Sequence, residues 1–170
     1  QMLLPRLSES GYHDLAYQVA TQKTYPSWGY MAENGATTMW ELWNSDKEKP
    51  EGMNSRNHFS YGSVVEWYFG YLAGIRPDPA GPGFKKFIVA PQPVGDLRFV
   101  KASYQTPYGE AVSSWEKSAS GLTLDVTIPA NSSARVVLPL EVGQTAKLDG
   151  KTVKGKEMNL GAGRYRFEIR

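Results

Sequence analysis

Cysteine is absent from the 170 residues, and histidine occurs only twice. The first absence excludes disulfides and thiolate metal sites, and the second excludes a histidine-rich metal centre. No apolar run approaches the roughly 18 residues that a membrane-crossing helix needs, so no membrane partner is expected. The first residues also lack the basic-then-apolar order of a signal peptide. The compartment stays open all the same, because the chain starts Gln1-Met2, without an initiator methionine at position 1. Charge of one sign is scarce as well: the net charge is +2. Residues 1–80 carry six Lys/Arg against nine Asp/Glu, and residues 81–170 carry thirteen against eight. The basic residues of the second half are spread singly among strands and turns, which reads as solvated faces and not as a nucleic-acid footprint.

What is present is a globular composition, with 41% hydrophobic and 12% aromatic residues. The two halves differ in kind. Thirteen of the twenty-one aromatic residues fall in the first 80 positions, where the apolar period is helical. Tyr12, Leu15, Ala16 and Val19 follow the i, i+3, i+4, i+7 pattern, which predicts a helix over about residues 12–22 with Asp14 near its start. Met2 to Leu7 reads as the end of another helix, with Pro5 in its first turn or at a kink. A turn-rich stretch from Thr24 to Gly35 follows. A short helix is expected from Thr37 or Thr38, whose hydroxyl would cap it, and this places Glu41 in its first turn. The clearest helix is expected over about residues 57–73, entered through Asn54, Ser55 or Asn57 and ended by Gly74 and Pro77. It is apolar on nearly every side, with Gly62 and Gly70 allowing close approach, so it should be surrounded by protein. The visible helices are too few for that. The helical half therefore reads as the end of a larger helical body, completed by an upstream part of the same protein or by self-association.

From Arg76 to Gly83 the chain reads as a proline and glycine linker. Beyond it, runs at Phe84–Val89, Leu97–Tyr104, Ala111–Glu116, Leu122–Ile128 and Ala134–Leu138 read as strands. Asp149-Gly150 marks a hairpin, and Tyr165, Phe167 and Ile169 alternate with charged residues. Seven or eight short strands with regular turns suggest an antiparallel sandwich. The fold class is α+β by segment, with residues 1–75 helical, 76–83 a linker and 84–170 a jelly-roll-like β-sandwich.

The residues with the most chemical content are Gly35-Ala36-Thr37-Thr38-Met39-Trp40-Glu41-Leu42-Trp43. Tryptophan faces can stack on the C–H faces of a pyranose, and a glutamate beside them can take a proton from water. On spacing alone, Trp40 and Trp43 fit equally one face of a buried helical turn with Glu41 turned to solvent. This segment, Tyr25-Pro26-Ser27-Trp28-Gly29-Tyr30 before it and Asn57-His58 with Gly62 and Trp67 after it resemble bacterial α-L-rhamnosidases of glycoside hydrolase family 78. Gly83-Phe84 to Pro91 and Tyr104-Gln105-Thr106-Pro107-Tyr108-Gly109 resemble the opening of that family's C-terminal β-domain.

The resemblance implies that residues 1–75 are the last helices of an (α/α)6 barrel, and that terminal α-linked rhamnose is hydrolysed with inversion. Inversion uses two carboxyl groups about 6.5–9.5 Å apart, one as general acid and one activating water. By the resemblance Glu41 is the general base, His58 binds rhamnose hydroxyls, and Trp43 belongs to the substrate site. No cofactor is implied, and the partner is a rhamnose-containing glycoside or oligosaccharide. The family's general acid lies upstream, and none of Glu9, Asp14, Glu33, Asp46, Glu48, Glu51 or Glu66 has its context. The chain thus reads as holding half a catalytic pair and as inactive alone. Two further readings stand beside this one: a non-catalytic sugar-binding or structural sandwich using Tyr104, Tyr108 and Trp115, and a helical-barrel glycosidase for another sugar.

Overall fold

A computed structural model describes residues 2–45 and 52–170. The chain divides into two compact units, residues 1–67 and residues 68–170. Among the described residues no helix is long and apolar enough to cross a membrane.

The first unit is helical: α1 (Leu3–Glu9), α2 (His13–Thr21), α3 (Trp28–Glu33), α4 (Phe59–Gly62) and α5 (Val64–Trp67). Pro5 sits in the first turn of α1, where its missing N–H costs nothing. The buried stripe of α2 is Ala16 and Ala20, one turn apart. Tyr12 and Leu15, expected on that stripe, are exposed instead. Small alanines let neighbouring backbones approach, so the side that packs is the narrow one. At the centre of the unit the buried indole of Trp67 donates from Nε1 to Ser8 Oγ at 2.8 Å, and Ser8 Oγ also bonds His13 Nδ1 at 2.7 Å. These bonds satisfy polar atoms that would otherwise be desolvated without a partner.

Three helical expectations change. The stretch from Thr24 to Gly35 contains α3, capped by the buried Ser27, whose Oγ accepts from the Tyr30 N–H at 2.9 Å. No helix forms over 37–45. The Met39 carbonyl there accepts from the His58 N–H at 2.8 Å, and the Glu41 N–H donates to the Ser55 carbonyl at 3.1 Å. Those groups are therefore not available for helical bonding. The expected helix over 57–73 begins at Phe59, with His58 at the cap position but no side-chain cap bond. It breaks at Ser63, resumes in α5 and ends in a π-helical turn over Tyr68–Leu72, where the Ala73 N–H reaches the Tyr68 carbonyl five residues back at 3.0 Å. Phe59 and Val65 on this stretch are exposed, at 74% and 47%.

The second unit is a β-sandwich. Its strands are β1 (Ile75–Pro77), β2 (Lys86–Val89), β3 (Phe99–Thr106), β4 (Gly109–Ser118), β5 (Gly121–Ile128), β6 (Ser133–Val137), β7 (Ala146–Leu148), β8 (Lys151–Thr152), β9 (Glu157–Leu160) and β10 (Gly163–Ile169). One sheet has the order β1-β2-β6-β9 and the other β3-β4-β5-β10-β7-β8. Alternation along the strands turns Phe87, Val89 and Val136 of the smaller sheet towards Trp115, Leu124 and Phe167 of the larger one in a single core. Each of these large side chains contributes about 1.5–3 kcal/mol by leaving water.

Here too the structure departs from expectation. Arg76 and Pro77, read as linker, lie in β1, which pairs antiparallel with β2. Phe84 and Lys85 fall outside β2, with Phe84 at φ 65°. The pairing of β2 with β6 is parallel, so the sandwich is not antiparallel throughout. Strand β9 escaped notice because Glu157–Leu160 is short and half polar. The hairpin at Asp149-Gly150 forms as expected, with both residues at positive φ, 50° and 80°. Between the π-helical turn and β1 the carbonyls are tied to β4: Trp115 Nε1 donates to the Leu72 carbonyl at 2.8 Å, and Ser113 Oγ donates to that of Ala73 at 2.6 Å.

Candidate functional site

Glu41 sits on an irregular segment cross-linked to a second one. The Thr38 hydroxyl donates to the Arg56 carbonyl, the His58 N–H to the Met39 carbonyl, and the Glu41 N–H to the Ser55 carbonyl. Ser55 returns the last bond, since its own N–H donates to Glu41 Oε2 at 2.9 Å. Segments 38–41 and 55–58 thus hold each other without belonging to a helix or sheet. The Ser55 side chain is used in turn, its Oγ accepting from the Asn57 N–H at 3.2 Å.

The Ser55 N–H is the main reason that the Glu41 carboxyl is held below the ordinary glutamate value. Partial burial opposes the effect, and a bond from the Asn54 side chain and the charge of His58 add to it. A half-buried carboxylate fixed by a backbone donor and kept ionised can accept a proton from a water molecule. His58, at the start of α4, is half-buried, and its ring stacks on that of the exposed Phe59 with centroids 5.2 Å apart.

The two tryptophans flanking Glu41 separate. Trp40 is buried, at 7% exposure. Trp43 packs on Tyr61, with ring centroids 3.8 Å apart, and meets Trp28 edge-on at 5.3 Å. The Trp28 indole is anchored in turn, its Nε1 donating to the Tyr61 carbonyl at 3.0 Å. Trp43, Trp28, Tyr61 and Trp67 line a cavity of about 220 Å³ together with Leu3 and Pro5. Glu41 and His58 are therefore brought to one pair of cross-linked segments, while Trp43 belongs to an aromatic cluster in the same unit.

Asn54 and Ser55 are the site residues that the sequence reading missed, having been taken for helix caps. Their signal was a polar run, Asn54-Ser55-Arg56-Asn57, immediately before His58. Of the other carboxylates among the described residues, Glu9 pairs with Arg6 at 2.8 Å, Glu33 pairs with Lys23 at 2.7 Å, and Glu66 is exposed. Asp46, Glu48 and Glu51 lie outside the described residues. No group of three His, Asp or Glu suited to a metal ion occurs among the described residues. On the sandwich, Tyr104 and Tyr108 are exposed but Trp115 is 1% exposed, so the three do not form one aromatic surface.

Residues 1–72 match the bacterial alpha-L-rhamnosidase 6 hairpin glycosidase domain, and residues 74–153 match the bacterial alpha-L-rhamnosidase C-terminal domain. An alpha-L-rhamnosidase of Alteromonas sp. (strain LOR) is 39% identical over 173 residues, which covers 99% of this chain and 19% of that protein. The solved alpha-L-rhamnosidase of Dictyoglumus thermophilum superposes with a TM-score of 0.89 at 36% identity, covering 99% of this chain and 20% of that one. That of Streptomyces avermitilis, solved in complex with L-rhamnose, gives 0.84 at 33% identity, covering 99% and 17%. The chain thus spans about a fifth of the length of the relatives it matches.

Proposed function

We propose that this chain, which belongs to the bacterial α-L-rhamnosidase family and matches its C-terminal portion, supplies the water-activating base of an inverting α-L-rhamnosidase. Glu41 is that base. The observation that carries the reading is the ionised, backbone-anchored Glu41 carboxylate on segments that also place His58. In inversion the base draws a proton from water as it attacks the anomeric carbon, while a carboxylic acid on the opposite face protonates the leaving oxygen. That acid belongs to the upstream part of the protein, which also completes the helical barrel. His58 hydrogen-bonds rhamnose hydroxyls, with a ring nitrogen available as donor or acceptor. Trp43 contributes from the aromatic cluster, shaping the wall of the sugar site more than stacking openly on a ring. The substrate is a rhamnose-containing glycoside or oligosaccharide, and the names of the relatives favour rhamnose over the other sugars of helical-barrel glycosidases. In this reading the barrel ends near residue 75, and the sandwich domain begins at about residue 84.

The test is Glu41→Gln in the full-length protein. Loss of a general base costs about 10²–10⁴-fold in rate, so turnover of an aryl α-L-rhamnoside should fall by at least about 100-fold with circular dichroism unchanged. Wild-type turnover in that variant removes Glu41 from the mechanism.

A further inference from the structure

A cleft on the sandwich contains none of the residues discussed above as catalytic. It is an open cleft of about 670 Å³, within the roughly 300–1,000 Å³ range of small-ligand sites. Its lining joins Ile88, Arg135 and Val137 of the smaller sheet to Lys117, Leu122 and Ile169 of the larger one. Arg76 of β1 pairs with Ile88 of β2, and Ile88 pairs with Arg135 of β6, so the three form one row across adjacent strands. Strands spaced about 4.8 Å apart set the two arginine stems roughly 10 Å from each other. Lys117 and Lys156 also line the cleft, giving four cations against two acids, Glu141 and Glu157.

The arginines are placed for exchange. Arg135 is paired with Glu157 at 3.3 Å, but both side chains are solvent-exposed, so the pair contributes little and yields readily to another carboxylate. The Arg76 guanidinium lies over the Tyr71 ring, 4.9 Å from its centre, a cation–π contact that limits its freedom. Pro91, Pro93 and Leu140 supply apolar surface along the cleft. Two guanidinium forks beside apolar patches match a ligand that carries spaced carboxylates on a partly apolar body. Such a ligand is an acidic oligosaccharide. Nucleic acid fits less well, because the other basic residues of the unit are spread singly among strands and turns and not gathered into a stripe.

From this geometry we infer that the sandwich carries a second carbohydrate site, a cleft that binds uronate-bearing oligosaccharides through Arg76 and Arg135. The choice of a sugar as the anion's carrier rests on the glycosidase reading, whereas the preference for a carboxylate rests on the cleft alone. The site would hold an acidic chain while a neutral terminal sugar is cut elsewhere.

Calorimetry on the full-length protein tests this with two probes, α-1,4-linked tetragalacturonate and its carboxyl-reduced, neutral galactose counterpart. The acidic probe should bind at least about tenfold more tightly than the neutral one, since a charge-assisted hydrogen bond is worth about 1.5–3 kcal/mol. Binding should weaken with salt. Arg76→Gln combined with Arg135→Gln should lower the affinity at least about tenfold and leave the rate on an aryl α-L-rhamnoside unchanged. Lys117→Gln, on the other sheet, should lower it in the same direction if the paired arginine change disturbs folding. Equal binding of the two probes, no binding of the acidic probe, or full affinity in the variants overturns the inference. Loss of the inference leaves the Glu41→Gln result untouched, so failure of the cleft and failure of the glycosidase reading are separable.

Discussion

Glu41 owes its behaviour to one backbone donor 14 positions further along and one side chain 13 positions further along. Its carboxyl is held below the ordinary glutamate value first by the Ser55 N–H and then, more weakly, by the Asn54 side chain and the charge of His58. The direction sets the pH dependence: the interaction stabilises the native state above the unfolded carboxyl pKa of about 4.3 and is lost as pH falls through the lower folded value. With Glu41 as the proposed base, the acidic limb of kcat/KM in the full-length protein should fall below the ordinary glutamate range. Asn54→Ala should move that limb upward, towards the ordinary value, with the alkaline limb unmoved. An unshifted acidic limb would mean that Asn54 does not act on the base. Part of this site was legible beforehand. The glutamate among tryptophans and the histidine 17 positions on stood out as chemistry-bearing residues, but Asn54 and Ser55 read as helix caps. Nothing local marks a loop backbone N–H as the donor to a distant carboxylate.

At the scale of elements, strands were easier to read than the helical half. Period-two alternation from Leu122 to Ile128 and from Tyr165 to Ile169 is a property of the segment itself, and β5 and β10 follow it closely. The 37–45 segment failed as a helix because its Met39 carbonyl and Glu41 N–H are spent on residues 55–58. The end of the last helical stretch is likewise decided by partners, since β4 takes the Leu72 and Ala73 carbonyls through Trp115 and Ser113. Ser113→Ala should leave the buried Ala73 carbonyl without that donor and cost about 1–3 kcal/mol, measured by urea denaturation. Gly74 follows at φ +81°, where an added Cβ would lie 2.2 Å from the Ala90 carbonyl carbon and the Pro91 nitrogen. Gly74→Ala should therefore destabilise the protein by more than about 1 kcal/mol in the same assay. A neutral result would require the 74 and 90–91 backbones to separate.

At the scale of the whole molecule, the two units differ in self-sufficiency. The sandwich closes its own core around Phe87, Trp115, Leu124 and Phe167, all at or below 1% exposure. The helical unit leaves Leu3, Tyr12, Leu15, Phe59 and Val65 exposed. Residues 68–170 expressed alone should therefore unfold cooperatively on heating, whereas residues 1–67 alone should show no cooperative transition. The 170-residue chain should give no turnover of an aryl α-L-rhamnoside, because one carboxylate cannot both activate water and protonate the leaving group in a single inverting step. Clear turnover would place an acid within the chain. Composition and period by themselves determined a helical half followed by a strand half and the hairpin at Asp149-Gly150, and the motifs around Glu41 and His58 carried a family resemblance. These are local properties, carried by neighbours within a turn or a strand. Only the tertiary structure decided that β2 and β6 run parallel, that Trp115 is core and not surface, and that Glu41 of the aromatic-flanked segment is anchored by Ser55. Each of those depends on which distant backbone groups and side chains meet, and the order of residues along the chain does not state that.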